Sequence, residues 1–319
     1  MTRIALQDVA VDPDMAPILE AMRAAPQVDY AAMPIAEARA AFDRGAAPWR
    51  AFAPDIAAVE DLTLPGAAGP IRARLYRPAS GVLPLIVFLH GGGWTFGSLD
   101  THENETRHLA RASGAAVLAI DYRLAPEHPF PAPLDDVLSA IAAVRAGILG
   151  SAIDPTRFAL AGDSAGANLA LGALLALRDA GNETARGAVL YYGCFAPIFG
   201  TESHRRWGDG NFGLSSARMR WYWRNFLGGV LENAPLLATP LDADLKNLPP
   251  LHLVGAGLDP LHDDTLLLAE RLRRDGVAHA VNVVPGVTHG FLRHAGRIVA
   301  ARHSLDAAGQ FLAGILKQQ

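Results

Sequence analysis

The stretch Gly162-Asp163-Ser164-Ala165-Gly166 sets a serine between two glycines. An apolar run ends there and a helical pattern, Ala165 to Ala180, begins. A serine on a tight strand-to-helix turn has its hydroxyl lifted clear of the sheet, and the flanking glycines remove Cβ clashes with the neighbouring strand and helix. That is the placement of a nucleophile; the bland alternative is a helix N-cap serine with no chemistry. A serine hydroxyl attacks a carbonyl only when a base takes its proton, and the base must be oriented by a carboxylate. The chain has 11 histidines, so position must sort them. His289, in Pro285-Gly286-Val287-Thr288-His289-Gly290-Phe291, follows the last strand pattern and precedes a glycine suited to a tight turn. His252 falls inside a strand pattern, His303 at the start of the last helix pattern, and His108 and His128 precede the serine. For the carboxylate, Asp259, Asp263 and Asp264 are candidates. Asp259 directly follows a strand and is preferred; Asp263, one helical turn on, suits a helix N-terminus.

Acyl transfer through a serine also needs donors for the oxyanion. His90-Gly91-Gly92-Gly93 ends the apolar run that begins at Leu85. A phosphate loop would need a lysine or a G-x-G-x-x-G pattern opening a helix. The residues that follow, Trp94-Thr95-Phe96-Gly97-Ser98, include no lysine and two bulky aromatics. The glycines are therefore read as N–H donors, with Gly91 and Gly92 preferred over Gly93 and with Ala165 as the third. Trp94 and Phe96 begin an apolar wall, and Phe212 and Leu214 either line the substrate pocket or fill a core.

The elements that must position these residues alternate. Strand patterns occur at 71–78, 84–90, 115–122, 157–164, 187–193, 250–257 and 280–286, and helix patterns at 133–148, 165–180, 261–275 and 304–316. Such alternation predicts a largely parallel sheet covered on both faces. Residues 1–50 read as amphipathic helices. Between Cys194 and Pro250 no strand pattern appears, and three of the five tryptophans fall there. An aromatic-rich insertion at that point suits a lid over the strand ends. Of 319 residues, half are hydrophobic, enough for a large core. The net charge of −4 gives no footprint for nucleic acid. The lone cysteine, Cys194, can form neither an intrachain disulfide nor a Cys-based zinc site, which fits a reducing compartment. Asp8, Asp12 and Asp14 interrupt the place where a signal peptide needs an apolar core, and no stretch reaches the roughly 20 apolar residues of a membrane span. The expectation is a cytoplasmic protein without a metal.

Taken together these motifs resemble the hormone-sensitive-lipase family of bacterial esterases, in its GDSAG subgroup. His90-Gly91-Gly92-Gly93-Trp94 begins 74 residues ahead of Ser164. The stretches DYRLAPEHPFPAPLDD at 121–136, GDSAGANLA at 162–170, ATPLDADLKNLPP at 238–250, DPLHDD at 259–264 and HGF at 289–291 all match, so the resemblance runs from about Ile71 to the C-terminus. It implies an α/β-hydrolase fold with a mostly parallel eight-stranded sheet. The catalytic domain would be 51–194 with 250–319, capped by helices from 1–50 and the insertion 195–249. It implies a cofactor-free carboxylesterase acting on small esters of short to medium acyl chain. Ser164 maps to the nucleophile, Asp259 to the acid, His289 to the base, and Gly91, Gly92 and Ala165 to the oxyanion hole. His90 and the Tyr122–Pro131 stretch map to structural support, and Asp163 to a hydrogen-bonding partner near the elbow. Many relatives are dimers, so a homodimer is expected. Plant gibberellin receptors resemble the same family but have lost the histidine; here the whole triad is present, which argues against a purely binding role.

Overall fold

The computed structural model describes residues 9–26, 28–181 and 185–317; the remaining positions of the expected 1–50 and 250–319 segments, and Asp8, lie outside them. Eight strands form one sheet: β1 (Ala58–Leu64), β2 (Ile71–Arg77), β3 (Leu83–Leu89), β4 (Ala116–Asp121), β5 (Ile153–Asp163), β6 (Ala188–Tyr191), β7 (Leu251–Leu258) and β8 (His279–Thr288). Their order is β1-β2-β4-β3-β5-β6-β7-β8. The pairs β1–β2 and β2–β4 are antiparallel and every other pair is parallel.

Side chains of a strand alternate between faces, and β3 divides the core accordingly. Leu85, Val87 and Leu89 join one buried cluster with α4 (Ala132–Arg145), α5 (Ala165–Asp179) and α8 (His262–Arg274). Ile86 and Phe88 join the other with α3 (Glu103–Ser113) and α9 (Val299–Lys317). Both faces being covered explains why the central strands read as continuous apolar runs.

Two segments stand outside this sandwich. The N-terminal one carries α1 (Ala16–Ala24), α2 (Ile35–Ala46) and a 3-10 turn ending at Phe52. The stretch between β6 and β7 carries α6 (Glu202–Trp207) and α7 (Ser216–Phe226). Both of these short helices are capped by a hydroxyl: Thr201 accepts from the His204 N–H and Ser215 from the Arg218 N–H. No strand occurs among the described residues of that insertion, as its pattern predicts. Neither β1 nor α3 was foreseen. β1 is an edge strand that buries only Leu64 fully, and α3 turns polar residues inward, with Glu103, Asn104, Glu105 and Thr106 all buried.

Candidate active site

The turn from β5 to α5 holds Ser164 at φ 53°, ψ −117°, outside ordinary L-residue space. Gly162 and Gly166 permit it by close approach. A Cβ on Gly162 would lie 2.5 Å from the Gly166 carbonyl carbon, and one on Gly166 would collide with the Leu89 carbonyl. Ser164 stays buried, at 6% exposure. His289 reaches it from the loop after β8. Its Nε2 lies 2.9 Å from Ser164 Oγ, and its Nδ1 lies 2.7 Å from Asp259 Oδ2. Asp259, after β7, is wholly buried, and its other oxygen accepts the Leu261 N–H at 2.9 Å. The structure thus brings together the three residues proposed for the triad. The two rival carboxylates are engaged elsewhere. Asp263 accepts from the Ser203 N–H, and Asp264 accepts from the Phe195 N–H, its carboxyl pushed well up by burial.

The glycine turn differs from expectation by one residue. The Gly91 N–H donates to Asp163 Oδ1 at 2.7 Å and is not free for an oxyanion. Within the described residues neither the Gly92 nor the Gly93 N–H donates to any acceptor. Their directions follow from the carbonyls across each trans peptide, because C=O and N–H point to opposite sides. The Gly91 carbonyl accepts from His90 Nδ1 at 2.9 Å, which turns the Gly92 N–H away. The Gly92 carbonyl accepts from the Thr95 and Phe96 N–H groups at 3.2 and 2.9 Å, which turns the Gly93 N–H away. The His90 carbonyl accepts from Tyr122 Oη at 2.6 Å, opposite the Gly91 N–H. Gly92 holds φ at +118°, a value glycine alone adopts readily. Ala165 opens α5, where an N–H has no partner inside the helix.

Behind the turn lies a buried polar group. Burial, and then His102, push His90 down to about 3, so its imidazole is neutral and its Nδ1 carries the proton given to Gly91. His90 stacks on the Tyr122 ring at 4.3 Å. His102 Nε2 is 3.3 Å from Asp163 and 3.9 Å from Glu105. Burial works against charge on His102, yet the two carboxylates outweigh it and raise its pKa. Burial would raise Asp163, but His102 and the Gly91 N–H hold it low. Burial pushes Glu105 up to about 7. His102, Glu105 and Asp163 bring three donor atoms within 4.8 Å of one another, the closest approach to a metal-ligand set among the described residues. The imidazolium of His102 already supplies the cation that Asp163 needs. Sequence patterning did not single out His102 or Glu105, since neither stands next to a recognisable motif residue.

Trp94 and Phe96, expected to begin an apolar wall, and Phe212 and Leu214, for which a pocket wall and a core were both open, are all closely packed. Trp94, Phe96 and Phe212 are wholly buried and Leu214 is 8% exposed. Trp94 stacks on Phe226 at 4.1 Å, Phe96 meets Phe42 at 5.2 Å and Tyr30 at 5.1 Å, and Phe212 meets Trp207 edge-on. Trp94 and Phe96 thereby join the two outlying segments to the sandwich, whereas the Phe212 contact lies within the insertion itself. A groove of about 350 Å³ opens where those segments meet, lined by Asp29, Tyr30, Ser215, Arg218 and Trp221.

A strained serine at an elbow, a histidine and a buried acid after later strands, and a mostly parallel sheet define an α/β hydrolase. Residues 86–293 match a family model described as alpha/beta hydrolase fold. The carboxylic ester hydrolase LipN of Mycobacterium tuberculosis is 40% identical over 246 residues, 73% of this chain; the match spans 64% of that relative's length. The carboxylesterase NlhH of the same species is 35% identical over 73% of each chain. The solved esterase of Pyrobaculum calidifontis superposes with a TM-score of 0.90 at 34% identity, covering 96% of this chain and 99% of its own. The chain belongs to the α/β-hydrolase family, on the branch of carboxylic ester hydrolases to which these relatives belong. No helix among the described residues is long and apolar enough to cross a membrane.

Proposed function

We propose that the chain is a serine carboxylesterase that cleaves short- to medium-chain carboxylic esters through an acyl-enzyme. The observation that carries this is the continuous hydrogen-bond run Asp259–His289–Ser164, next to a glycine turn tied to Asp163 whose Gly92 and Gly93 N–H groups donate to no acceptor among the described residues. Ser164 Oγ attacks the ester carbonyl as His289 Nε2 takes its proton. Gly92, Gly93 and Ala165 N–H groups receive the oxyanion, with Gly93 in place of Gly91. His289 protonates the departing alcohol, then deprotonates water for attack on the acyl-enzyme. Asp259 holds His289 in the tautomer that leaves Nε2 free and stabilises the imidazolium that forms.

The N-terminal helices and the insertion 195–249 act as a cap over this centre, supported by their shared aromatic packing on Trp94 and Phe96. On this reading turnover should peak at butyrate or hexanoate p-nitrophenyl esters and fall by decanoate. Ser164→Ala should abolish turnover of p-nitrophenyl butyrate; wild-type rates in that variant would refute the mechanism. Assays with a lactone and an amide alongside define the acyl-transfer scope. A cytoplasmic location and a homodimer complete the reading. The free buried Cys194 supports the first, and the unpaired edge of β8, where Val281 is 41% exposed, the second.

A further inference from the structure

The oxyanion turn is gripped from outside the sheet, and the grip converges on one residue. Thr95 follows the glycines and donates its hydroxyl to the Gly93 carbonyl at 3.0 Å, while its N–H donates to the Gly92 carbonyl at 3.2 Å. Two bonds from Thr95 therefore set the peptide planes on either side of Gly93. Thr95 is itself held by both parts of the cap. Arg39 of α2 donates Nε to the Thr95 carbonyl at 2.9 Å, and Asn225 of α7 donates Nδ2 to the Thr95 hydroxyl at 3.4 Å.

Arg39 spends the rest of its fork on the same region. Nη2 donates to the Ala125 carbonyl at 3.0 Å, and the two Nη groups bind Glu127 at 2.8 and 2.7 Å. Ala125 in turn donates its N–H to the Trp94 carbonyl at 2.8 Å. One guanidinium thus ties α2 to the carbonyl of Thr95, to the loop that supports Trp94, and to a carboxylate that fixes its own orientation. Its neighbour Ala38 is wholly buried, so α2 cannot shift without breaking core contacts.

We infer that Arg39 is a positioning residue for the oxyanion turn, bracing the Gly92–Gly93 donors through the Thr95 carbonyl so that the hole is complete only when the cap is seated. The inference rests on the esterase reading and on Gly93 as a donor. A surface ion pair such as Arg39–Glu127 adds little to stability, so the fork serves geometry. Lysine can keep the charge beside Glu127 but cannot reach Glu127, Ala125 and Thr95 at once.

The test is Arg39→Lys, compared with Thr95→Val, which keeps the carbonyl that Arg39 grips and deletes the hydroxyl to Gly93. Misplacing a reacting group by about 1 Å is worth about 100-fold. Arg39→Lys should lower kcat for p-nitrophenyl butyrate by roughly 10- to 100-fold, with KM changed less than about twofold and an unmoved melting temperature. The double variant should lose less than the product of the two single losses, as expected for residues acting on one turn. Amide hydrogen exchange of the peptide spanning 90–97 should quicken in Arg39→Lys while β5 and α5 stay protected. Wild-type kcat in Arg39→Lys, a loss confined to KM or melting temperature, or unaltered exchange over 90–97 would overturn the inference. If the wild-type protein hydrolysed no ester, the esterase reading would fail, and the exchange measurement would still decide whether Arg39 braces the turn.

Discussion

Asp163 precedes the nucleophile in the chain but serves the opposite wall of the site. One carboxylate oxygen holds the Gly91 N–H, and the His102 imidazolium offsets its charge in a place closed to water. Protons trapped by burial make such groups visible in the pH dependence of stability. Glu105 keeps its proton up to about 7 in the fold, against an ordinary 4.5, chiefly through burial. Over that interval the folded chain holds a proton that the unfolded chain has released, so the contribution of Glu105 to stability falls as pH rises and is lost above it. His294 has the opposite sign. Burial pushes it down to about 3 from an ordinary 6.5, so the unfolded chain takes up a proton that the fold refuses. Its contribution is full above the ordinary value and is lost as pH falls towards the lower one. Urea midpoints measured from pH 4 to 8 should therefore separate two variants. Glu105→Gln should remove a decline with rising pH, and His294→Gln should remove a decline with falling pH, each at the cost of one proton's slope. A Glu105→Gln profile parallel to wild type would mean that the acid is ionised in the fold.

At the scale of elements, the elbow depends on α5 lying almost on top of β3. Gly166 is the contact point, and a methyl there would drive into the Leu89 carbonyl. Gly166→Ala should lower stability by about 1–3 kcal/mol, the usual range for overpacking. It should also lower turnover by about 100-fold, because the helix that carries the Ala165 donor moves with the strain. Unchanged melting temperature together with unchanged kcat would show that the helix can yield. The elbow was legible in the sequence because an apolar strand pattern ends and a helical pattern begins at the serine between its two glycines. His289 and Asp259 were legible because each follows a strand pattern. Gly91 misled because the fate of an N–H depends on a carboxylate far along the chain, and no spacing rule reports it. Trp94, Phe96, Phe212 and Leu214 could not be assigned for another reason: an apolar side chain that lines a pocket and one that fills a core have the same pattern. β1 escaped notice because one fully buried residue leaves almost no alternation, and α3 because its inward face is polar, against the usual helical signal.

On the scale of the whole molecule, the N-terminal segment is a flap with its own anchors rather than a layer of the sandwich. The Asp12 N–H donates to the Gly286 carbonyl at 2.9 Å, and the Val299 N–H donates to Asp14 at 3.0 Å. Met15 and Leu19 are wholly buried in the cluster that also holds Phe212 and Trp207, next to the loop carrying His289. One buried side chain of its own, Leu19, together with Met15 at its N-cap and a few hydrogen bonds, holds α1, whereas β3 and β5 are paired on both sides and covered on both faces. Regions with fewer buried contacts open first, below the free energy of global unfolding. Truncating a buried leucine to alanine typically removes about 2–5 kcal/mol. If α1 opens as a unit, Leu19→Ala should take that loss locally. Hydrogen exchange across 12–24 should rise by two or more orders of magnitude, on the order of what that energy implies. Exchange in β3 and β5 should stay within about threefold of wild type. Hydrolysis of p-nitrophenyl butyrate should persist, because Ser164, His289, Asp259 and the Thr95 brace lie outside α1. An equal rise in exchange across the sheet would mean that the flap and the sandwich unfold as one body.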